Sequence, residues 1–365
     1  MRAYYQIKEL SQHYDIYLIS LTDHTITEDD KNQLKPYCQS IDIQMLTINQ
    51  SYINMIADPF SSLPWQVRYF YDRRIARHIH MMVEEIEPDH IYTQLIRMAP
   101  YVLELSDQKS IDYMDSMDLN MVSGGIAQFK RIPFFNMIEQ KRCVRYERDI
   151  YEKFQYHFAI SHRDRRSFDS EINEGITVSS NGVDFDFFQF RESIESEFDA
   201  AFIGNLGYIH NDRAAHYLID EIMPLMTDDY NVLIAGSRPS DWLNIKQQRN
   251  VRVEGHVDDI REHYAKAKIL VAPIFSGSGQ QNKILEAMAQ GIPCITTSFV
   301  NDSIGAEPGV EILIADSPKR FAGDMLALKT DRDLYKRLSY AGRMMVEERF
   351  GWEQAVAPII EVIKS

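Results

Sequence analysis

The stretch Ala272–Cys294 decides the fold, and it reads APIFSGSGQQNKILEAMAQGIPC. An apolar run ends at Pro273, a loop containing Gly277 and Gly279 follows, and a helical segment then continues to Gly291. Glycines let the backbone approach a ligand closely, and the free N–H groups at a helix start bind phosphate. The order of strand, glycine loop and helix predicts a βα unit with an anion site at the carboxyl end of its strand.

The chain before this stretch shows the same alternation of apolar runs and helices. Apolar runs begin at Ala200, Asn231, Val251 and Ile269, and helical segments separate them. Glycines stand at or near the ends of these runs. Continuous apolar strands separated by helices indicate a parallel sheet covered on both faces, with ligand loops at the strand ends. We therefore predict that the second half of the chain is a Rossmann-like domain.

The first half follows the same rhythm less regularly. Its arginine-rich segment 65–86 reads as one long helix. The sequence Asn181-Gly-Val-Asp favours a turn with positive φ, which suits a connector between domains. A chain of 365 residues exceeds one hydrophobic core of ordinary size. We therefore predict an α/β protein of two domains, residues 1–190 and residues 191–351.

The charge and the cysteines exclude several classes of protein. The formal net charge is −15, which disfavours binding of nucleic acid. Basic clusters at Arg68–Arg77 and Lys141–Arg145 fit either a face for an anionic acceptor or lipid headgroup, or a solvated helix face with acidic partners. The 3 cysteines lie far apart and without CxxC spacing, which indicates reduced thiols in the cytoplasm and no zinc site. No apolar run approaches the roughly 20 residues that span a bilayer, and we expect no signal peptide.

Two charged residues of the helical segment have a spacing that suits a nucleotide. Lys283 lies in the first turn, where a cation is unfavourable on dipole grounds unless an anion is nearby. Glu286 follows at i+3, where its carboxylate can accept hydrogen bonds from a ribose diol. The alternative is a surface i,i+3 ion pair on an ordinary helix. Spacing alone does not separate a diphosphate–ribose site from such a pair.

The same stretch resembles the GT4-family glycosyltransferase signature, in which a glycine loop leads into a helix reading Lys/Pro-x-x-Glu-Ala-Met-Ala-x-Gly-x-Pro. More narrowly, Gly277-Ser-Gly-Gln-Gln-Asn-Lys-Ile-Leu-Glu-Ala-Met-Ala resembles a bacterial subgroup associated with exopolysaccharide assembly. Further motifs of that subgroup occur in the same order along the chain, namely Asp112-Tyr-Met-Asp, Ile160-Ser-His-Arg-Asp, Asn181-Gly-Val-Asp, Phe202-Ile-Gly-Asn, Gly255-His-Val-Asp-Asp and Arg349-Phe-Gly-Trp-Glu. The resemblance therefore extends over the whole chain.

The resemblance implies a GT-B fold, in which two Rossmann-like domains face a cleft and the C-terminal helix 352–365 completes the first domain. By that analogy Glu286 binds the ribose of a nucleotide sugar, Lys283 binds its diphosphate, and Val257 lies near the base. Lys283 and Glu286 are thus the candidate catalytic residues. The other candidate donor-binding residues are Gly204, Asn205, Gly277, Ser278, Gly279, Gln280, Gln281 and Asn282. Such enzymes usually retain the anomeric configuration and need neither a metal nor a cofactor, because cationic side chains and helix dipoles stabilise the leaving diphosphate.

The function implied is transfer of a hexose from a UDP- or GDP-sugar to a glycan or lipid-linked acceptor in cell-surface polysaccharide synthesis. The expected location is the cytoplasm, with peripheral contact at the inner face of the membrane. His90 and Arg97 flank a predicted strand end and are candidates for the cleft, although a surface histidine and a helix-capping arginine are simpler interpretations. Asp184-Phe-Asp186 has the Asp-x-Asp pattern of some metal sites, but its place in the connector indicates a structural role.

Three departures from the family pattern bear on activity. Ser278 stands where the wider family has an acidic residue that contacts the transferred sugar. Asn205 follows Gly204 where the wider family often has an arginine, so Lys283 carries more of the diphosphate charge. Related chains open with an apolar strand and a glycine loop, whereas Met1 already lies in a helical segment. We therefore expect that strand and loop to be missing, either because Met1 is internal to a longer protein or because the form is naturally shortened. The missing loop and the substitution at Ser278 motivate an alternative function, a non-catalytic nucleotide-sugar-binding or scaffold protein of the same fold.

Overall fold

A computed structural model describes residues 2–47, 63–105, 108–114, 133–191, 196–245 and 250–364. The chain divides into two compact units. The first comprises Met1–Ser180 together with Ala355–Ser365, and the second comprises Asn181–Gln354. The sequence places this boundary ten residues later, after residue 190. The structure places it earlier because Val183 and Phe188 are buried in the core of the second unit, where Val183 also pairs with Gly351.

The described residues of the first unit form two parallel sheets. Strands β1 (Tyr17–Thr22) and β2 (Ser40–Met45) form a pair. The second sheet has the strand order β3 (His90–Gln94), β4 (Gln108–Met114), β5 (Tyr156–Ala159) and β6 (Ile176–Val178). The helices of this unit are α1 (Arg2–Leu10), α2 (Glu28–Leu34), α3 (Trp65–Tyr69), α4 (Arg73–Ile86), α5 (Pro133–Tyr151) and α6 (His162–Ser167).

The predicted long helix over residues 65–86 is two helices, α3 and α4. Asp72 interrupts it with an extended backbone, and its side chain caps α4 by accepting a 2.7 Å hydrogen bond from the Arg74 N–H. An aspartate at this position satisfies a helix donor that has no partner within the helix. The pattern of apolar residues along 65–86 continues across the break, which is why the sequence alone predicts one helix.

A cavity of about 470 Å³ lies in the first unit against β1 and β3. Consecutive residues of both strands line it, from Ile19 to Thr22 and from His90 to Gln94. Since successive side chains of a strand point to opposite faces, consecutive lining residues indicate that the backbone edges face the cavity. The described residues of this unit therefore form two sheets with a space against their edges. The sequence predicts that the first strand of this domain is missing, and this stays a prediction.

The described residues of the second unit form one parallel sheet of six strands. The strands are β7 (Phe198–Ile203), β8 (Val232–Ala235), β9 (Val251–Glu254), β10 (Ala267–Ala272), β11 (Cys294–Thr296) and β12 (Leu313–Ile314). Their order in the sheet is β12, β11, β10, β7, β8, β9. The order reverses between β7 and β10, and open α/β sheets bind ligands at the carboxyl ends of the strands beside such a reversal.

Helices connect these strands and close the chain. They are α7 (Ile209–Tyr217), α8 (Asp241–Ile245), α9 (Arg261–Ala265), α10 (Asn282–Ala289), α11 (Ser298–Asn301), α12 (Pro318–Thr330), α13 (Arg332–Arg349) and α14 (Trp352–Lys364). Most of α14 belongs to the first unit, where Val356 and Ile359 pack with Leu10 and Phe158. The predicted fold class, α/β with parallel sheets in two Rossmann-like units, is confirmed.

The helix at the centre of the deciding stretch ends as its sequence predicts. Gly291 has a φ of +75°, and its N–H donates to Met288 O at 2.9 Å. The next N–H, from Ile292, donates to Ala287 O at 2.9 Å. These two hydrogen bonds form a Schellman motif, which requires a left-handed residue at the position of Gly291. Glycine adopts that conformation without strain.

Candidate functional site

A pocket of about 320 Å³ opens at the carboxyl edge of the six-stranded sheet, next to the reversal of strand order. The segments after β7, β8 and β9 form one part of its wall, and helices α9 and α10 form another. The lining residues are Phe187, Ile203, Gly204, Asn205, Gly236, Ser237, His256, Val257, Asp258, Ile260, His263, Tyr264, Lys283 and Glu286. Five of the residues predicted from the sequence are therefore brought together here, namely Gly204, Asn205, Val257, Lys283 and Glu286.

The cation of the pocket is Lys283, in the first turn of α10. Its Nζ donates a 2.6 Å hydrogen bond to Asn211 Oδ1 and lies 4.6 Å from the centre of the Phe202 ring. Burial lowers the pKa of Lys283 to about 7, although the nearby Glu286 opposes this shift. Desolvation disfavours the charged amine, and an anionic ligand beside it would restore the charge. The amine is thus held by neutral partners in a place suited to an anion.

The buried carboxylate of the pocket is Glu286, one turn further along α10. Its Oε2 accepts a 2.8 Å hydrogen bond from the hydroxyl of Tyr264. In the described part of the chain no residue donates to the second oxygen, Oε1. Burial raises the pKa of Glu286, while the hydrogen bond from Tyr264 and the charge of Lys283 act against that rise. The carboxylate can therefore accept further hydrogen bonds from a ligand in the pocket.

Lys283 and Glu286 have different partners in the structure. Lys283 contacts Asn211 on α7, and Glu286 contacts Tyr264 on α9. Both side chains line the pocket instead of pairing on a solvated helix face. Their arrangement suits a ligand with a phosphate at one end and hydroxyl groups at the other.

Two glycines allow the strand ends to approach the pocket closely. A Cβ on Gly204 would come within 2.7 Å of Lys283 Nζ. A Cβ on Gly236, whose φ is +146°, would overlap the carbonyl oxygen of Gly204. The backbones of neighbouring strand ends therefore pack against each other where the ligand space begins. Side chains at these positions would fill that space.

The predicted phosphate loop, residues 277–282, lies outside the lining of this pocket. Gln280 Oε1 accepts a 3.0 Å hydrogen bond from the Asn181 N–H, and Asn282 Oδ1 accepts a 2.7 Å hydrogen bond from Asn181 Nδ2. Gly277 lies against His210, whose Nδ1 is 2.7 Å from Ser276 Oγ. These side chains fix the loop within the second unit. The donor-binding roles predicted for Gly277, Ser278, Gly279, Gln280, Gln281 and Asn282 stay predictions.

The candidates His90 and Arg97 belong to the first unit and line its cavity. His90 Nε2 lies 2.8 Å from Ser110 Oγ, and burial lowers the pKa of this histidine. The Arg97 guanidinium lies 5.2 Å from the centre of the Phe70 ring. Neither residue lines the pocket of the second unit, and their predicted role in the cleft stays a prediction.

The Asp-x-Asp pattern in the connector forms a turn. Asp184 Oδ1 accepts hydrogen bonds from the backbone N–H groups of Asp186 at 3.0 Å and Phe187 at 2.9 Å. An aspartate that binds the backbone two residues further on is an Asx turn. Within the described ranges, no three His, Cys, Asp or Glu residues are grouped so that they could hold a metal ion.

Sequence reasoning missed several residues of the pocket, above all Tyr264 and His263. Both lie on the short helix α9 and are buried, and His263 Nε2 is 3.1 Å from Gly255 O. Phe187 comes from the connector before β7 and is part of the same wall. A single tyrosine or histidine in a five-residue helix carries no periodic signal, so only the packing of α9 against α10 reveals these residues.

Comparison with known proteins assigns a family to part of this unit. Residues 197–331 match the family described as glycosyl transferases group 1. This match contains β7 to β12 and the helix that carries Lys283 and Glu286. The enzyme is a glycosyltransferase. The predicted enzyme class is thereby confirmed. No curated protein matches the sequence.

Solved glycosyltransferase structures share the fold of the whole chain. A glycosyltransferase from Rickettsia africae is 13% identical with a TM-score of 0.63, and the alignment covers 96% of this chain and 98% of that one. Anabaena HepE in complex with UDP and glucose is 14% identical with a TM-score of 0.67, covering 99% and 95%. Sucrose-phosphate synthase from Thermosynechococcus elongatus is 13% identical with a TM-score of 0.69, covering 100% and 91%. At these identities the likeness establishes the fold.

Across the described ranges, no helix of this glycosyltransferase combines the length and the apolar character that crossing a membrane requires.

Proposed function

We propose that this glycosyltransferase transfers a hexose from a UDP- or GDP-sugar to a glycan or a lipid-linked acceptor in the synthesis of a cell-surface polysaccharide. The observation that carries the proposal is the pocket at the reversal of strand order, which contains both Lys283 and Glu286. Anabaena HepE, which has the same fold, is solved with UDP and glucose and with UDP-glucose. A nucleotide sugar is therefore the substrate class that we assign to this pocket.

The two charged residues bind different parts of the donor. Lys283 and the N–H groups at the start of α10 stabilise the diphosphate, whose negative charge increases as the glycosidic bond to it breaks. Glu286 accepts hydrogen bonds from the ribose. Val257, in the segment after β9, lies beside the base. Positioning and charge stabilisation then supply catalysis without a conventional base or a metal ion, and the sugar is transferred with retention of its anomeric configuration.

The pocket is also compatible with the expectation from the sequence that a single cationic side chain binds the diphosphate. Asn205 stands in the pocket wall where an arginine would add a second cation. The side chain of Lys283 is instead the cation assigned to the diphosphate, and it reaches the wall formed by Gly204. We therefore expect the affinity for the diphosphate to depend strongly on this one residue.

Calorimetric titration with UDP, GDP and uridine tests the proposal. We expect at least one nucleotide diphosphate to bind, and we expect Lys283→Ala to weaken its binding by about 10- to 100-fold, the effect of losing a charge-assisted hydrogen bond. Uridine binding should change much less. Lys336→Ala is the matched control, because Lys336 is exposed on α13 and does not line the pocket.

Turnover is tested separately. The folded protein is incubated with UDP- and GDP-hexoses and acceptor extracts, and release of the nucleotide and the anomeric configuration of the product are measured. A folded protein that binds neither UDP nor GDP contradicts the proposed donor site. Donor binding without any transfer would support the alternative of a non-catalytic binding protein.

A further inference from the structure

The tyrosine beside Glu286 is buried in the core of the second unit. Tyr264 on α9 has only 1% of its surface exposed. Its ring packs edge to face against Phe188, with the ring centres 6.1 Å apart. The position of its hydroxyl is therefore fixed by the core of the second unit, because a buried aromatic ring has little freedom to move.

That fixed hydroxyl lies against α10 at two points. It is 2.8 Å from Glu286 Oε2 and 3.3 Å from the carbonyl oxygen of Lys283. A phenol has one hydrogen to donate, and the shorter distance and the charge of the carboxylate favour Glu286 as the acceptor. The hydrogen bond restricts a side chain that would otherwise choose among several rotamers. One carboxylate oxygen is thus occupied and held in place by a residue of another helix.

The contact leaves the second oxygen of Glu286 for a ligand. Glu286 lines the pocket, and no residue within the described ranges donates to its Oε1. A carboxylate has about four acceptor positions on its two oxygens, of which Tyr264 uses one. Two neighbouring hydroxyl groups are the class of donor that fits the remaining positions.

We propose that Tyr264 is a positioning residue for the donor nucleotide: it holds the Glu286 carboxylate in the one orientation that accepts hydrogen bonds from both ribose hydroxyls. This inference rests on the proposed function, because it assumes that the pocket binds a ribonucleoside diphosphate. It adds the residue that makes the pocket select a ribose over a sugar without these hydroxyls.

The test compares UDP with 2′,3′-dideoxy-UDP, or GDP with its dideoxy form if GDP binds more tightly. For the wild-type protein we expect the ribonucleotide to bind roughly 10- to 100-fold more tightly, as for hydrogen bonds to a charged group. In Tyr264→Phe this ratio should fall to about 3 or less, because the ribonucleotide loses affinity and the dideoxynucleotide does not.

The matched control is Tyr230→Phe. Tyr230 is also a fully buried tyrosine of the second unit, and its hydroxyl donates to Met325 O at 3.3 Å, outside the lining of the pocket. Removing this hydroxyl should leave the wild-type ratio unchanged. A general loosening of the core would instead weaken both nucleotides equally in both variants.

The outcomes separate the inference from the function on which it rests. A wild-type protein that binds no nucleotide overturns both. If the wild-type protein binds UDP or GDP but Tyr264→Phe leaves the ratio of ribonucleotide to dideoxynucleotide affinity unchanged, only the role of Tyr264 is overturned. The same holds if Tyr264→Phe weakens the binding of both nucleotides equally. If Tyr264→Phe does not fold, a crystal structure of the wild-type protein with the nucleotide decides, since the ribose hydroxyls must lie on the carboxylate that Tyr264 holds.

Discussion

The amine of Lys283 lies where a side chain on Gly204 would be, because a Cβ added to Gly204 would come within 2.7 Å of Nζ. Gly204 directly follows β7, and Lys283 belongs to the first turn of α10. The absence of a side chain at one position therefore makes room for the charged group at the other. This relationship links the central strand of the sheet to the cation of the pocket.

Gly204→Ala should displace the Lys283 amine and weaken binding of the nucleotide diphosphate by about 10-fold, as expected when one charge-assisted hydrogen bond is lost. The protein should still fold, because the closest group is the end of a flexible lysine side chain and the next, the Asn211 amide, lies 3.1 Å away. Calorimetry with UDP or GDP measures the effect. Gly323→Ala is the control, since a Cβ there meets nothing within 4 Å. An unchanged affinity in Gly204→Ala would contradict the position assigned to the amine.

Binding of a nucleotide sugar should be accompanied by proton uptake above neutral pH. The pKa of Lys283 is lowered to about 7 in the free protein, and a bound diphosphate favours the charged amine and raises that pKa. The affinity for the nucleotide sugar is then highest below about pH 7. It falls as the pH rises from 7 towards the pKa of Lys283 in the complex. UDP-glucose is the suitable ligand, because its diphosphate is esterified at both ends and carries a constant charge in this range.

Calorimetry in two buffers of different ionisation enthalpy measures this uptake. We expect close to no proton at pH 6, about half a proton at pH 7 and nearly one at pH 8. Lys283→Met should bind weakly and without the uptake. The assignment of Lys283 as the group that takes up the proton fails if the wild-type protein binds the ligand at pH 8 without proton uptake.

Gly291→Ala should destabilise the second unit by more than about 1 kcal/mol, since the left-handed conformation strains any residue with a Cβ. The φ of Gly291 is +75°, and an added Cβ would lie 2.5 Å from the Phe190 ring. Urea unfolding measures the change as a lower midpoint at a constant slope. Gly323→Ala in α12 is expected to be neutral or stabilising by comparison. Equal stabilities of the two variants would mean that the turn after α10 tolerates a side chain.

Amide hydrogen exchange should differ between the sheets of the two units. Strands β7 and β10 lie at the centre of six parallel strands, whereas β1 pairs only with β2 among the described residues, and its other edge faces a cavity. Few-stranded sheets open more readily than the centre of a large one. We expect the amides of Leu18 and Ser20, which face β2, to exchange faster than those of Phe202 and Leu270, as measured by NMR. Similar protection in both pairs would indicate a more stable first unit than this topology implies.

Part of the candidate site was predictable from the sequence, because it lies in one continuous stretch. The loop, the helix and the glycine that ends the helix all follow from local rules, and Lys283 and Glu286 share a side of the helix by their spacing. The donor-binding role predicted for the loop over residues 277–282 stays a prediction, and the contacts that hold this loop are not local. Its side chains at Gln280 and Asn282 bind Asn181, a contact across about a hundred residues that no local pattern signals.

By itself the sequence determined the alternation of strands and helices, the parallel sheet of the second unit and the end of α10 at Gly291. Hydrophobic periodicity and the φ preference of glycine are properties of short segments, so they can be read without a structure. Only the tertiary structure decided that Asn211 holds Lys283 and that Tyr264 holds Glu286. These partners are far apart in the chain, and they meet because burying the apolar faces of α7, α9 and α10 on one sheet leaves their polar groups at the same edge.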